Sequence, residues 1–216
     1  MPWLSGHGCE PDCTSGNFSA EVQRIATSVR EHFDSRPARL LAYSMGARLG
    51  IALLSEHAEL FTDAFIVGAN PGIELSEERG ERRDWEDSWV ELLHNEGLER
   101  FEHQWRQQKI FTSQKSLPFD VRKLQSKERL NHTASGLAHA MRVLGLGSMP
   151  DLWPLLPGLE RNMHMIVGAS DGKFLQIAKR AAKLSDRIQL SSLVGIGHNA
   201  ILEAPSEVKR LMELSS

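Results

Sequence analysis

The pentapeptide Ala42-Tyr43-Ser44-Met45-Gly46 constrains this chain more than any other feature, because of what flanks it. Upstream, Ala38-Arg39-Leu40-Leu41-Ala42-Tyr43 has the length and apolar content of a short buried strand. Downstream, Ala47-Arg48-Leu49-Gly50-Ile51-Ala52-Leu53-Leu54 reads as a helix packed on a sheet. A serine on so sharp a strand-to-helix turn sits on strained backbone, and small neighbours let strand and helix approach each other. Ala42 and Gly46 are the small residues in this reading. A strand, a tight turn and a covering helix form the repeating unit of a parallel sheet with helices on both faces. A serine in this position also serves as a plain helix N-cap in many proteins, a reading that needs no chemistry.

Two further residues complete a nucleophilic constellation in chain order. Met163-His164-Met165-Ile166-Val167-Gly168 is an apolar run bounded by polar residues, as expected of a buried parallel strand. It runs into Ala169-Ser170-Asp171-Gly172, which places Asp171 at the strand's carboxyl end. Leu193-Val194-Gly195-Ile196-Gly197-His198 then puts a histidine on a glycine-rich loop before the last helix. Ser44, Asp171 and His198 stand in the order found in α/β-hydrolases. A serine hydroxyl is unreactive near neutral pH. His198 would take its proton, while Asp171 would hold the imidazole in one tautomer and stabilise its cation. The backbone N–H of Met45, just after the serine, is the expected oxyanion donor. Singly, Asp171 reads as a loop or capping residue, and His198-Asn199 as a turn cap. Together, all three follow apolar strands, a context that the other eight histidines lack.

The remaining pattern alternates strand and helix around one interruption. Phe18, Val22, Ile25, Ala26, Val29 and Phe33 recur at helical spacing, predicting a helix from Ser19 to Phe33 with Ser19 as its cap. Ala64 to Gly68 and Arg187 to Leu190 read as strands, and Pro205 to Leu214 as a closing helix begun by proline. Residues 74–150 hold no strand pattern. There, Trp85, Trp89, Leu92 and Leu93, then Leu98, Phe101 and Trp105, mark two helices with apolar faces. The expected organisation is an α/β-hydrolase core from residues 1–73 and 151–216, with residues 74–150 as an inserted helical cap.

Composition narrows the partners. A formal net charge of −3 without a basic patch gives nucleic acid no footprint. No apolar run reaches membrane-spanning length and no secretory leader pattern opens the chain, so the expectation is a cytoplasmic protein without a membrane partner. Cys9 and Cys13 form a single short pair, a poor zinc signature, and read as reduced loop thiols. Neither a metal nor a cofactor is expected.

Fragments along almost the whole chain resemble the 2-succinyl-6-hydroxy-2,4-cyclohexadiene-1-carboxylate synthase family of menaquinone biosynthesis. Leu4-Ser5-Gly6-His7-Gly8 is similar to that family's Leu-Pro-Gly-His-Gly turn. Tyr43-Ser44-Met45-Gly46-Ala47-Arg48 resembles its elbow, and Asn70-Pro71-Gly72-Ile73 its His-Pro-Gly-Leu stretch. Glu81-Arg82-Arg83 falls on a basic cap motif, and Trp105-Arg106-Gln107-Gln108-Lys109-Ile110-Phe111 resembles Trp-Tyr-Gln-Gln-Pro-Val-Phe. The segments around Asp171 and His198 match as well. Arg106 in place of tyrosine and Ala42 in place of glycine are departures.

The resemblance implies an α/β-hydrolase-fold lyase. It would eliminate pyruvate from an enolpyruvyl-cyclohexene dicarboxylate, with Ser44 and His198 acting as a base toward a carbon-bound proton. The substrate would be a small polycarboxylate, bound by Tyr43, Arg48, Arg82, Trp105 and Arg129, since arginines clamp carboxylates bidentately. Taken alone, each arginine reads as part of a solvated helix face. The family's segment with the first strands and the second oxyanion donor has no counterpart before Leu4. The expectation is therefore an N-terminally shortened member with missing strands, low activity and a tendency to self-associate. A carboxylesterase with the same triad, and an inactive partner-binding module, are the alternative readings.

Overall fold

The computed structural model describes residues 3–8 and 15–214; Cys9 and Cys13 lie outside the described residues. Four strands, β1 (Ala38–Tyr43), β2 (Phe61–Val67), β3 (Asn162–Gly168) and β4 (Ile188–Leu193), pair in that order, all parallel. Parallel neighbours need crossovers, and α2 (Met45–Glu56) and α6 (Gly172–Ala181) supply two of them. Register sets Leu40 and Ala42 beside Ala64 and Ile66, and Leu41 and Tyr43 beside Phe65 and Val67. Because side chains alternate along a strand, these two sets face opposite sides of the sheet. On the first side lies α2, whose Gly50 is the residue of closest approach: a Cβ there would sit 3.0 Å from both Ala42 Cβ and Ile66 Cδ1. Gly46, expected to fill that role, has nothing within 4 Å of an added Cβ. On the other side, Val208, Leu211 and Met212 of α8 (Pro205–Leu214) pack with Tyr43, Phe65, Val67 and Ile166.

Helices thus cover both faces of a parallel sheet, as expected. The elbow strand shows the unpaired edge expected of it. The apolar β1 is an edge strand with Leu41 41% exposed, since among the described residues only β2 pairs with it. Apolar content reports the faces of a strand and is silent about its edges.

The chain divides into two compact units, whose boundaries differ from the division at residues 73 and 151. One comprises Met1–Ile25, Gly72–Lys109 and Leu117–Asp151; the other comprises Ala26–Pro71, Ile110–Ser116 and Leu152–Ser216 and holds the sheet. The N-terminal residues join the inserted block through polar contacts that no hydrophobic period reports. The Gly8 N–H donates to His132 Nδ1 at 2.9 Å, and His139 Nε2 donates to the Ser15 carbonyl at 3.0 Å.

In that first unit, α3 (Ser76–Trp105) is two helices joined by a break at Gly97, where φ is 80°. The two apolar faces read from the sequence meet there. Val90, Leu93 and Phe101 form a buried cluster with Leu137, Ala138 and Met141 of α5 (Ala134–Leu144). Trp85, Trp89, Phe101 and Trp105 stand ring against ring, 5.1–6.0 Å apart. The first helix, α1 (Phe18–His32), is capped by Asn17, whose Oδ1 accepts the Ala20 N–H at 2.9 Å, two residues ahead of the expected Ser19. Between α3 and α5 in the chain, α4 (Phe119–Arg129) has no buried residue. No described helix is long and apolar enough to cross a membrane.

Three histidines make stability depend on pH. Burial lowers the pKa of His7, His132 and His164 below the ordinary 6.5, and the neighbouring His7 lowers His132 further. The two rings are 5.2 Å apart, and His132 must keep Nδ1 unprotonated to accept from Gly8. The unfolded chain therefore binds protons first as pH falls. Stability is fully present above about pH 6.5 and is lost as pH drops through the lowered native values. Melting temperature is expected to fall on the acid side of that point, and His132→Asn, which keeps an acceptor but does not titrate, should flatten the fall.

Candidate active site

The elbow is built as the flanking pattern requires. Ser44 follows β1 with φ 51° and ψ −111°, a conformation that costs a non-glycine residue roughly 1–3 kcal/mol. Both ends of the turn are pinned: the Ser44 N–H donates to the Val67 carbonyl at 2.9 Å, and the Arg48 N–H to the Ser44 carbonyl at 3.3 Å. Ser44 precedes α2 but its side chain makes no capping bond, so the plain N-cap reading fails. Instead Oγ lies 3.1 Å from His198 Nε2.

His198 is 3% exposed, and its Nδ1 lies 2.7 Å from Asp171 Oδ2. With Nδ1–H donating to the carboxylate, the Nε2 lone pair faces the serine hydroxyl, the tautomer needed to accept its proton. Asp171 also caps α6, accepting the Phe174 N–H at 3.5 Å, so the capping and charge-orienting roles coincide in one residue. The rings of Phe174 and Tyr43 flank the imidazole at 4.5 and 5.4 Å. These rings keep the Ser44–His198–Asp171 line apolar on its sides, which strengthens its electrostatics.

Two glycines that the sequence reading passed over shape this line. Gly68 ends β2 with φ 60°, and a Cβ there would lie 2.9 Å from His198 Cε1. Gly168 ends β3 where a Cβ would run into the carbonyl oxygens of Ile196 and Gly197. That close approach lets the Ser170 N–H donate to the Ile196 carbonyl at 3.0 Å, stitching the Asp171 loop to the His198 loop. A glycine closing each central strand was the available signal.

The other anticipated site residues fall into two groups. Met45 opens α2, so its N–H belongs to the first turn, whose donors have no intrahelical partner. Arg48, 7% exposed, lies one turn on in the same helix. Tyr43, Ser44, Met45, Arg48, Asp171 and His198 thus belong to the sheet-bearing unit. Arg82, Trp105 and Arg129 belong to the other unit. There, Arg82 pairs with Glu86 at 2.8 Å and lies over the Trp85 ring, 4.3 Å from its centroid. Glu86 is itself buried and accepts the N–H groups of Leu146 and Gly147. Arg129 stands 3.8 Å from the Glu102 carboxylate. Among the described residues no group of three His, Cys, Asp or Glu side chains is arranged to hold a metal ion.

A parallel sheet whose first described strand feeds a strained serine, with aspartate and histidine delivered by later strands, defines the α/β-hydrolase fold. Solved structures agree: an esterase from Exiguobacterium antarcticum matches 98% of this chain and 78% of its own at a TM-score of 0.77 and 16% identity, a likeness of fold. No family model matches the chain. A relative from Salmonella arizonae, 2-succinyl-6-hydroxy-2,4-cyclohexadiene-1-carboxylate synthase, is 27% identical over 205 residues, covering 95% of this chain and 78% of the relative. MenH from S. aureus superposes with a TM-score of 0.91 at 26% identity, over 97% of this chain and 79% of its own. Along almost its whole length the chain is thus similar to 2-succinyl-6-hydroxy-2,4-cyclohexadiene-1-carboxylate synthases, on an α/β-hydrolase fold.

Proposed function

We propose that this protein is a carbon–oxygen lyase of menaquinone biosynthesis. It eliminates pyruvate from 2-succinyl-5-enolpyruvyl-6-hydroxy-3-cyclohexene-1-carboxylate. The observation that carries this reading is the unbroken line Ser44 Oγ, His198 Nε2, Nδ1 and Asp171 Oδ2, in a chain similar to those synthases over almost its whole length. Ser44 Oγ removes a proton bound to ring carbon while its own proton passes to His198, whose cation Asp171 stabilises. The C–H electron pair becomes a ring double bond, the C–O bond to the enolpyruvyl oxygen breaks, and pyruvate departs as its enolate, to be protonated. No acyl-enzyme forms. The Met45 N–H supports negative charge developing on oxygen.

Arg48 supplies the carboxylate recognition within the sheet-bearing unit. Arg82, Arg129, Trp105 and Tyr43 are assigned to substrate on family resemblance. The test is pyruvate release from the enolpyruvyl substrate, run beside hydrolysis of a generic aryl ester. Arg48→Ala is expected to lower kcat/KM for the enolpyruvyl substrate by about tenfold to a hundredfold, the loss of one charge-assisted bond. Its aryl-ester rate should stay near wild type. Ester hydrolysis without pyruvate release, or Arg48→Ala kinetics equal to wild type, would transfer the protein to the acyl hydrolases.

A further inference from the structure

We infer that Glu203 is a positioning residue for His198, and that it ties the histidine loop to Ser113 of the inserted block. This rests on His198 being the base proposed above. Glu203 ends the four-residue helix α7 (Ala200–Glu203) and turns its carboxylate back over the loop that precedes it. Oε2 accepts the Gly197 N–H at 2.8 Å and Oε1 the Asn199 N–H at 3.2 Å, so the residues on both sides of His198 hang from one carboxylate. Oε1 also accepts the Ser113 hydroxyl at 3.1 Å. Asn199 closes the same turn from the other direction, its side chain accepting the Leu202 N–H at 3.1 Å.

The donors explain why the residue is a carboxylate. Two backbone N–H groups approach different oxygens, so the group must accept on both, and a carboxylate is the side chain that does. A glutamine turned either way would point its NH2 at one of those N–H groups. Ser113 lies on the 3-10 segment Lys109–Ser116, and Ile110–Ser116 is the stretch of the inserted block that belongs to the sheet-bearing unit. His198 hangs between Ser44 at 3.1 Å and Asp171 at 2.7 Å, where a displacement near 1 Å costs about a hundredfold in rate. The anchor therefore acts on geometry at the reacting nitrogen.

Glu203→Gln and Ser113→Ala test this in the full chain, with melting temperature as the folding control. The first readout is the proton NMR resonance of the His198 Nδ1–H shared with Asp171, which needs no substrate. It is expected to shift in Glu203→Gln, and less in Ser113→Ala. The second is turnover of the enolpyruvyl substrate, where Glu203→Gln should lower kcat by about tenfold to a hundredfold with KM little changed. A folded Glu203→Gln protein with an unmoved resonance overturns the inference, whatever its rate. A shifted resonance in a protein whose wild type releases no pyruvate leaves the positioning role standing and removes the proposed reaction instead. If Glu203→Gln does not fold, an unmoved resonance in Ser113→Ala overturns the tie to the inserted block.

Discussion

Alanine at Ser44 or at His198 is expected to lower turnover of the enolpyruvyl substrate by roughly 10⁴-fold or more, and the double substitution to cost little beyond either single one. The two side chains are one functional unit: Oγ at 3.1 Å from Nε2 has no other base in reach among the contacts described, and the imidazole is held to Asp171 at 2.7 Å. Removing the hydroxyl leaves a correctly placed base with nothing to activate. Removing the imidazole leaves a hydroxyl that cannot lose its proton near neutral pH. Single-turnover assays on the two variants and their combination check this. A Ser44→Ala protein that keeps more than about a tenth of wild-type kcat, a cost of only about 1.4 kcal/mol, would exclude Ser44 from the mechanism.

Glu21→Ala is expected to destabilise the protein by about 3–5 kcal/mol, the cost of leaving buried partners of a charge unpaired. Glu21 is fully buried on α1 and accepts four bonds. The Ser5 N–H donates at 2.7 Å, the Ser15 hydroxyl at 2.6 Å, and Arg24 Nε and Nη2 at 2.8 Å each. The Ser15 N–H in turn donates to Ser5 Oγ at 2.7 Å, closing the knot. Burial pushes the Glu21 carboxyl up, but Arg24, Ser15 and Ser5 outweigh it and hold it below its ordinary value. The knot is therefore intact near neutral pH and fails as pH falls through that lowered value. Thermal unfolding reads the loss as a drop in melting temperature on the order of 10 °C for a chain of this size. A change below about 1 kcal/mol would mean that other contacts hold residues 3–8 and 15–25.

The parts of this protein that were legible in its sequence are those governed by local rules. Apolar runs of strand length, a serine between strand and helix, and an aspartate and a histidine just past later strands predicted the sheet, the elbow and the line from Ser44 to Asp171. Each of these residues owes its place to its own strand, and parallel strands bring their carboxyl ends together. The break at Gly97 was likewise visible as two apolar faces on either side of it.

Tertiary structure alone decided the rest. Ala42 and Gly46 looked like the close pair, yet Gly50 meets Ala42, because helix and sheet converge one turn after the elbow. Residues 3–8 and 15–25 looked like part of the core, yet they group with most of the inserted block, to which polar bonds at His132 and His139 tie them. Nothing in the sequence marks Glu203, on which the donors at Gly197, Asn199 and Ser113 converge. Hydrophobic periodicity records which face of an element is buried. It carries nothing about which polar group, 90 residues away in the case of Ser113 and Glu203, will be found against that element once the chain has folded.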